Sequence, residues 1–175
     1  MLGWADQKIR YDQHNNDLKD PGYVKFFEQL LAELDPYLSQ FAIQAGLDWG
    51  SGPEPVLKEL LKRRNVKLDI YDPIYQNSLE ILDESYPLLT STEVIEHFSE
   101  PRKSLVQMND YLQSGSLFAG MTAFHQGPEN YLNWWYVRDA THVSFYSEKT
   151  MKWIADFLSL KILVLITPVF IFVKK

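Results

Sequence analysis

Strand and helix patterns alternate along this 175-residue chain, which predicts an α/β fold with three layers around a mostly parallel sheet. An apolar run that closes at Leu47 leads through a turn with two glycines, residues 50–52, into an amphipathic pattern at residues 56–61. The chain ends in two apolar segments, residues 161–167 and 169–173, which predict a hairpin. This hairpin would close the sheet with an antiparallel strand.

The other elements follow from hydrophobic spacing and turn residues. Residues 76–85 leave room for one short helix and show no strand pattern. Helices are predicted at residues 22–38, 101–112 and 147–158, and strands at residues 66–72, 86–91 and 117–122, the last after a turn at 114–116.

Composition limits the kinds of function. The length suits one domain, and 46% apolar residues are typical of a globular protein. The absence of cysteine excludes disulfides, thiolate metal sites and a cysteine nucleophile. A net charge of −6 argues against nucleic acid as a partner, because phosphate binding needs clustered Lys and Arg.

No membrane segment is predicted. Residues 1–6 lack the basic start and apolar core of a signal peptide. The apolar stretch at residues 162–173 is too short to span a bilayer, and Thr167-Pro168 interrupts it. We therefore expect a cytoplasmic protein without a membrane partner, while its oligomeric state stays open.

The glycine turn indicates a ligand site, since backbone N–H groups and a helix start meet there. A dinucleotide fingerprint needs a third glycine at position 55, which is Pro55. Asp48 and Glu54 would also repel a pyrophosphate at short range. These residues favour a cationic nucleoside without phosphate, of which S-adenosylmethionine is the common example.

The pattern Asp48-x-Gly50-x-Gly52 resembles the first motif of class I S-adenosylmethionine-dependent methyltransferases, although Glu54 replaces the usual third glycine. The resemblance implies a three-layer, Rossmann-like sheet, mostly parallel with an antiparallel C-terminal strand. It also implies that Asp48 lies near the methionine ammonium and the glycine backbone against the cofactor. Family members often place a further strand where residues 76–85 stand.

Asp72 lies twenty residues beyond Gly52, at the predicted end of the second strand. A carboxylate there can accept hydrogen bonds from ribose hydroxyls, whereas Asp72-Pro73 can also be an ordinary turn pair. The residues predicted to contact the cofactor are Asp48, Gly50, Ser51, Gly52, Asp72, Pro73, Thr90, Ser91 and Thr92.

A polar motif, E-x-x-E-H, follows the third predicted strand. If this segment is helical, Glu93, Glu96 and His97 share one face. The motif resembles that of ubiquinone-pathway O-methyltransferases and small-RNA 2′-O-methyltransferases, where it holds a divalent cation with a later histidine. His142 fits that position better than His125. The predicted ligands for magnesium or zinc are thus Glu93, Glu96, His97 and His142, unless these residues only hydrogen-bond around the cofactor entrance.

The chain divides into a helical cap (1–40), a cofactor-binding core (41–123), an aromatic lid segment (124–146) and a closing helix with hairpin (147–175). Tyr11 and His14 in the cap either face the site or tie the segment down.

We expect methyl transfer from S-adenosylmethionine to a small-molecule acceptor, with oxygen favoured as the methylated atom over nitrogen or carbon, which stay open. His97 or His142 would be the catalytic base, or a metal would activate the hydroxyl. The alternatives are a non-catalytic binding module with the same fold and a nicotinamide or flavin oxidoreductase, against which Asp48 and Pro55 count.

Overall fold

The computed structural model of the chain describes residues 8, 18–78, 81 and 84–175. The strands are β1 (Ala45–Trp49), β2 (Lys67–Tyr71), β3 (Tyr86–Thr92), β4 (Leu112–Met121), β5 (Leu160–Ile166) and β6 (Val169–Lys174). The helices are α1 (Pro21–Gln40), α2 (Val56–Lys62), α3 (Pro101–Asp110), α4 (Pro128–Tyr131) and α5 (Glu148–Phe157). Single 3-10 turns lie at Ile95–His97 and Trp135–Arg138.

The strands form one six-stranded sheet in the order β2-β1-β3-β4-β6-β5. Strand β1 pairs in parallel with β2 and β3, and β3 pairs in parallel with β4. Strand β6 is antiparallel to both β4 and β5. The predicted mostly parallel sheet with an antiparallel strand near the C-terminus is confirmed.

Helices cover both faces of the sheet, which gives the three predicted layers. Helices α1 and α2 share one buried apolar cluster, and α3 and α5 share the other. Neighbouring residues of β3 face opposite layers, because Leu88 belongs to the first cluster and Leu89 to the second. Both faces of the central strands are therefore buried, as the apolar runs predicted.

Helix α1 shows why the sequence folds as predicted. The Asp20 carboxylate accepts hydrogen bonds from the N–H groups of Gly22 and Tyr23, and Pro21 occupies the first turn, where it loses no hydrogen bond. Leu30, Leu31 and Leu34 follow at helical spacing and are fully buried. The helix begins and ends within two residues of its predicted bounds.

The boundary between α3 and β4 differs from the prediction. Helix α3 ends at Asp110, and β4 already begins at Leu112 rather than at residue 117. The turn signal at residues 114–116 is an irregularity inside the strand. Gly115 has a φ of +86°, and the pairing with β3 shifts register between Tyr86 and Leu88.

The E-x-x-E-H motif does not form the helix that would have placed its three polar residues on one face. Glu93 has a left-handed φ of +53°, and only Ile95–His97 forms a single 3-10 turn. The reason is tertiary, since the Glu93 N–H is held by the Met121 carbonyl oxygen of β4 at 2.9 Å. Glu93 therefore does not share a helical face with Glu96 and His97.

The described residues between β2 and β3 contain no strand, apart from an isolated bridge between Asp72 and Gln76. Strand β2 is accordingly an edge of the sheet. Tyr11 and His14 lie outside the described residues, so their predicted roles stay predictions. Among the residues that are described, no helix has the length and hydrophobicity needed to cross a bilayer.

Candidate active site

A cavity of about 430 Å³ opens at the carboxyl ends of β1, β2 and β3. This is the edge where open α/β sheets bind ligands. The glycine turn and the loop after β2 form one half of its wall, which we call the glycine half. Residues after β3 and in the lid segment form the other half, which we call the lid half. The lid half comprises Thr92, Glu93, Val94, His97, Phe98, Trp135, Tyr136, Asp139, Thr141 and His142.

Gly50 and Gly52 both adopt left-handed backbone conformations, with φ of +84° and +68°. A Cβ on Gly50 would lie 2.4 Å from Cγ2 of Val94, so packing excludes a side chain there. A Cβ on Gly52 would meet nothing within 4 Å. The first glycine is thus needed for the turn to pack, and the second leaves space at the cavity wall.

Asp72 organises the glycine half. One carboxylate oxygen accepts a hydrogen bond from Gly52 N–H at 3.0 Å, and the other accepts from Ile74 and Tyr75 N–H at 2.8 and 3.1 Å. A carboxylate offers about four acceptor positions, so these three bonds leave room for one more. Asp72 lines the cavity, and it also forms the turn that was the alternative interpretation.

Asp48 is a buried carboxylate in the cavity wall, with only 2% of its surface exposed. Its burial raises its pKa to about 6, against the opposing hydrogen bond from Thr90 Oγ1 at 2.7 Å. Asp72 raises this pKa further and Lys58 lowers it. A buried carboxylate of this kind is stabilised by a cation close to it.

Two predicted cofactor contacts do not line the cavity. Thr90 and Ser91 are fully buried within β3, and the wall begins only at Thr92. Thr90 acts on the site through its hydrogen bond to Asp48. The remaining predicted contacts, Asp48, Gly50, Ser51, Gly52, Asp72, Pro73 and Thr92, all line the cavity.

Glu93 of the lid half pairs with Glu96, a fully buried carboxylate that does not itself line the cavity, and a tyrosine joins the two. The Tyr136 hydroxyl lies 2.5 Å from Glu96 Oε1, 3.0 Å from Glu93 Oε2 and 3.2 Å from Thr122 Oγ1. Burial raises the pKa of both glutamates, and Glu93 raises that of Glu96 further. The Tyr136 hydroxyl can donate only one proton. The two glutamates therefore favour a state in which they share one further proton between them.

The two predicted histidines meet in this half. Their ring centroids are 4.9 Å apart. Nδ1 of His97 lies 3.0 Å from the Thr141 carbonyl oxygen and Nδ1 of His142 lies 2.8 Å from that of Tyr136. Because a carbonyl only accepts, each Nδ1 carries the proton, and Nε2 has the lone pair in the neutral ring. Burial lowers the pKa of His97 to about 4, so this ring is neutral at neutral pH.

Three of the four predicted metal ligands converge. Donor atoms of Glu96, His97 and His142 all lie within 4.8 Å of one another, whereas Glu93 is outside this group. Glu96 Oε2 is buried without a hydrogen-bond partner among the described residues. His125, the other later histidine, lies instead against Tyr131 and Trp134, outside the cavity. These three donors fit a divalent cation.

A family model described as "Methyltransferase domain" matches residues 21–163, which is most of the chain. The chain belongs to this methyltransferase family. No curated protein sequence matches the chain significantly.

Solved methyltransferases share the fold of this methyltransferase domain. N-methyltransferase NodS from Bradyrhizobium japonicum, with S-adenosylhomocysteine, has a TM-score of 0.66 at 14% identity, and the match covers 99% of both chains. Human N-acetylserotonin methyltransferase, with S-adenosylmethionine, has a TM-score of 0.64 at 13% identity. That match covers 84% of this chain and 51% of the human one, so the domain spans about half of it.

A third neighbour is a S-adenosylmethionine-dependent methyltransferase from Archaeoglobus fulgidus, with a TM-score of 0.55 at 18% identity. That match covers 79% of this chain and 74% of the other. Identities this low establish the fold of the methyltransferase domain and not its substrate. The narrower resemblance to the ubiquinone-pathway group stays a prediction.

Sequence reasoning did not single out the residues that attach the lid segment. Val143 and Ser144 N–H groups both bond the Glu96 carbonyl oxygen at 2.9 Å, and the Tyr146 hydroxyl bonds the Ile95 carbonyl at 2.8 Å. Tyr136, which joins the two glutamates, is 1% exposed. The aromatic richness of residues 124–146 was the available signal, but without a period it does not rank one aromatic residue above another.

Proposed function

We propose that this methyltransferase domain binds S-adenosylmethionine and transfers its methyl group to a small-molecule acceptor. The observation that carries the proposal is the cavity at the strand ends, with Asp48, the Gly50–Gly52 turn and Asp72 on one wall. Two solved neighbours with the same fold are complexes with S-adenosylmethionine or S-adenosylhomocysteine. The acidic chain, with net charge −6, supports a small molecule rather than nucleic acid as acceptor.

Each part of the cofactor has a counterpart in the glycine half. Asp48 would lie near the cationic methionine end, where its burial makes a nearby positive charge favourable. Asp72 would accept one ribose hydroxyl at its remaining acceptor position. A second ribose bond would require Gly52 N–H to give up its bond to Asp72.

The reaction is a displacement in which the sulfur–methyl bond breaks as the acceptor–methyl bond forms. The protein's contribution is to hold donor and acceptor in line and to exclude water. An oxygen acceptor must also lose a proton. His97 is a weak base near neutral pH because its pKa is about 4, so His142 is the better candidate.

The metal-assisted form of this proposal assigns Glu96, His97 and His142 as ligands. Two imidazoles with one carboxylate suit zinc better than magnesium, which prefers oxygen ligands. A bound divalent ion would lower the pKa of an acceptor hydroxyl. His97 and His142 would be held in the correct tautomer by the carbonyl bonds to Nδ1.

Zinc titration against a chromophoric chelator tests these ligands. The variant His142→Ala is expected to weaken zinc binding at least tenfold, about the smallest effect of losing a ligand or its supporting partner. His125→Ala is the matched control, because that histidine lies outside the cluster. Equal zinc affinity in the wild type and in His142→Ala contradicts the metal proposal and leaves methyl transfer standing.

The cofactor itself is tested by calorimetry with S-adenosylmethionine, S-adenosylhomocysteine and NAD. We expect both sulfur nucleosides to bind and NAD not to bind, with affinity lost in Asp72→Asn. Binding of NAD alone would indicate the oxidoreductase alternative. Binding of none of the three would favour the non-catalytic module, which Glu54 at the third glycine position keeps open.

A further inference from the structure

An exposed indole lies in the wall of the cavity. Of the large apolar side chains that are exposed among the described residues, only Trp135 lines this cavity. It belongs to the lid half and has 66% of its surface exposed. Ligand pockets are lined mainly by apolar and aromatic side chains, so an open indole at this position is a candidate contact for a ligand.

Trp135 is the exposed end of a continuous row of rings. Its ring centroid lies 5.1 Å from that of Tyr136, which lies 4.1 Å from that of His142, and the rings of His142 and His97 are 4.9 Å apart. All four residues line the cavity, and Tyr136 is the buried member. The exposed indole and the candidate base His142 thus belong to one aromatic wall.

The indole of Trp135 keeps at least one face open to a ligand. Its plane is inclined by 79° to the ring of Tyr136, and such an edge-to-face contact covers at most one face of the indole. Trp153 is also exposed, but it stacks on Phe157 at 5.0 Å with planes 5° apart, and it lies outside the cavity. Trp153 is therefore a matched control for Trp135.

The polar side chains of the lid half are bound within the protein. Glu93 accepts a hydrogen bond from Tyr136, and Asp139 accepts from the backbone N–H and the hydroxyl of Thr141 at 2.9 and 2.6 Å. Both histidines donate Nδ1–H to backbone carbonyl oxygens. An acceptor that used these groups would compete with existing bonds, whereas contact with the open face of Trp135 breaks none. Since the cofactor is assigned to the glycine half, this face is available to the acceptor.

We propose that the methyl acceptor carries a flat aromatic ring that stacks on the indole of Trp135, which makes Trp135 the residue that selects the acceptor by its shape. The inference rests on the proposed function and names the chemical class of its acceptor. Two flat rings in offset contact gain more than their buried area alone accounts for. A saturated ring is puckered, so fewer of its atoms reach optimal separation from the indole.

Calorimetry with 2-naphthol and decahydro-2-naphthol tests this inference. Both probes have two fused rings and one hydroxyl, but only 2-naphthol is flat. The saturated probe is the more apolar one, so burial without stacking would favour it. Titrations contain S-adenosylhomocysteine and a chelator, so that the cofactor site is filled and no metal binds the hydroxyl. We expect 2-naphthol to bind about three- to tenfold more tightly, which is the range that an aromatic pair contributes beyond burial.

Trp135→Leu should abolish the preference for 2-naphthol, because leucine is apolar but has no flat face. Trp135→Phe should keep part of the preference, and it provides the result if Trp135→Leu does not fold. Trp153→Leu removes an exposed indole outside the cavity and should leave the preference unchanged. Thermal unfolding and S-adenosylhomocysteine affinity of each variant show whether the fold and the cofactor site are intact.

Equal binding of the two probes, tighter binding of the saturated probe, or binding of neither overturns the inference. So does a preference that the Trp135 variants leave unchanged or that Trp153→Leu also removes. Loss of S-adenosylhomocysteine affinity in a folded Trp135→Leu would assign the indole to the cofactor and overturn the inference as well. In each case binding of S-adenosylhomocysteine to the wild type shows that the proposed function stands. Failure of S-adenosylhomocysteine to bind the wild type overturns the proposed function itself.

Discussion

Gly50 and Gly52 share a left-handed backbone conformation but differ in their neighbours, so alanine should affect them differently. Gly52→Ala should lower the free energy of unfolding by about 1–2 kcal/mol, because it only places a Cβ in a left-handed backbone conformation. Gly50→Ala adds a clash with Val94, because its Cβ would lie 2.4 Å from Cγ2. We expect a total loss of about 3 kcal/mol or more, measured by urea denaturation.

The second substitution Val94→Ala removes the clashing methyl groups. In the Gly50→Ala background it should recover part of the lost stability, whereas with Gly52→Ala it should only add a cavity cost of its own. Equal stability losses for the two glycine variants would contradict this account of the turn.

The carboxyl group of Asp48 should make stability depend on pH. Burial raises its pKa in the folded state to about 6, above its ordinary value of 3.8, so folding favours the protonated form. Its contribution to stability is fully present below pH 3.8 and is lost as pH rises through about 6. The shift in pKa corresponds to a change of about 3 kcal/mol in the free energy of unfolding. Urea denaturation of Asp48→Asn across this pH range should not show this change.

Other groups also titrate in this range, so the comparison with the variant is the control. The low pKa of His97, about 4, acts in the opposite direction, because its unfolded form binds a proton below 6.5. Asp48→Asn leaves that contribution and those of Glu93 and Glu96 in place. If the free energy of unfolding changes in parallel for wild type and Asp48→Asn from pH 4 to about 7, the pKa of Asp48 is not raised in the folded state.

At the level of elements, the lid segment is fixed to the 3-10 turn at Ile95–His97. Tyr136→Phe removes the hydroxyl that contacts Glu96, Glu93 and Thr122, and leaves the buried carboxylates with fewer partners. We expect a loss of about 2 kcal/mol and faster hydrogen–deuterium exchange at residues 133–142. Acceptor turnover should fall more than S-adenosylmethionine affinity, because Tyr136 lies in the lid half.

Tyr146→Phe is the matched control for this element. It also removes one tyrosine hydroxyl that bonds the same turn, through the Ile95 carbonyl oxygen, but Tyr146 does not line the cavity. This variant should lower the free energy of unfolding by about 1 kcal/mol. Its acceptor turnover should not fall more than its affinity for S-adenosylmethionine. The same kinetic effect in both variants would show that Tyr136 acts only through stability.

The elements that sequence patterns predicted are those whose apolar residues recur at helical or strand spacing or form a continuous buried run. Helix α1 and strand β2 repeat their apolar residues at the spacing of their own geometry, and both have nearly the predicted bounds. Glu93 shows the limit of such reasoning. Its left-handed φ is stabilised by the Met121 carbonyl of a strand far along the chain, and no local pattern encodes that contact.

For the whole molecule, the glycine half of the site was predictable from the sequence, and the lid half was predictable only in part, at Thr92, Glu93, His97 and His142. Asp48, Gly50, Gly52 and Asp72 line the cavity because a strand–turn–helix unit and the next strand end place them there, and both follow from sequence spacing. Trp135 and Asp139 reach the same cavity through an irregular lid segment held by backbone carbonyls. Sequence patterns report side-chain burial, and they do not report hydrogen bonds of this kind.

Cofactor binding should stabilise the whole chain, because a ligand that binds only the folded state raises the free energy of unfolding. At about 100 times its Kd, S-adenosylhomocysteine should add about 2.7 kcal/mol and raise the Tm by roughly 5–10 °C for a chain of this size. Differential scanning calorimetry measures the shift, with NAD at the same concentration as the control ligand. In Asp72→Asn the shift should shrink, since the turn that Asp72 holds through Gly52, Ile74 and Tyr75 is part of the cofactor wall. A Tm raised by NAD and not by S-adenosylhomocysteine would mean that the acidic glycine turn accommodates a pyrophosphate after all.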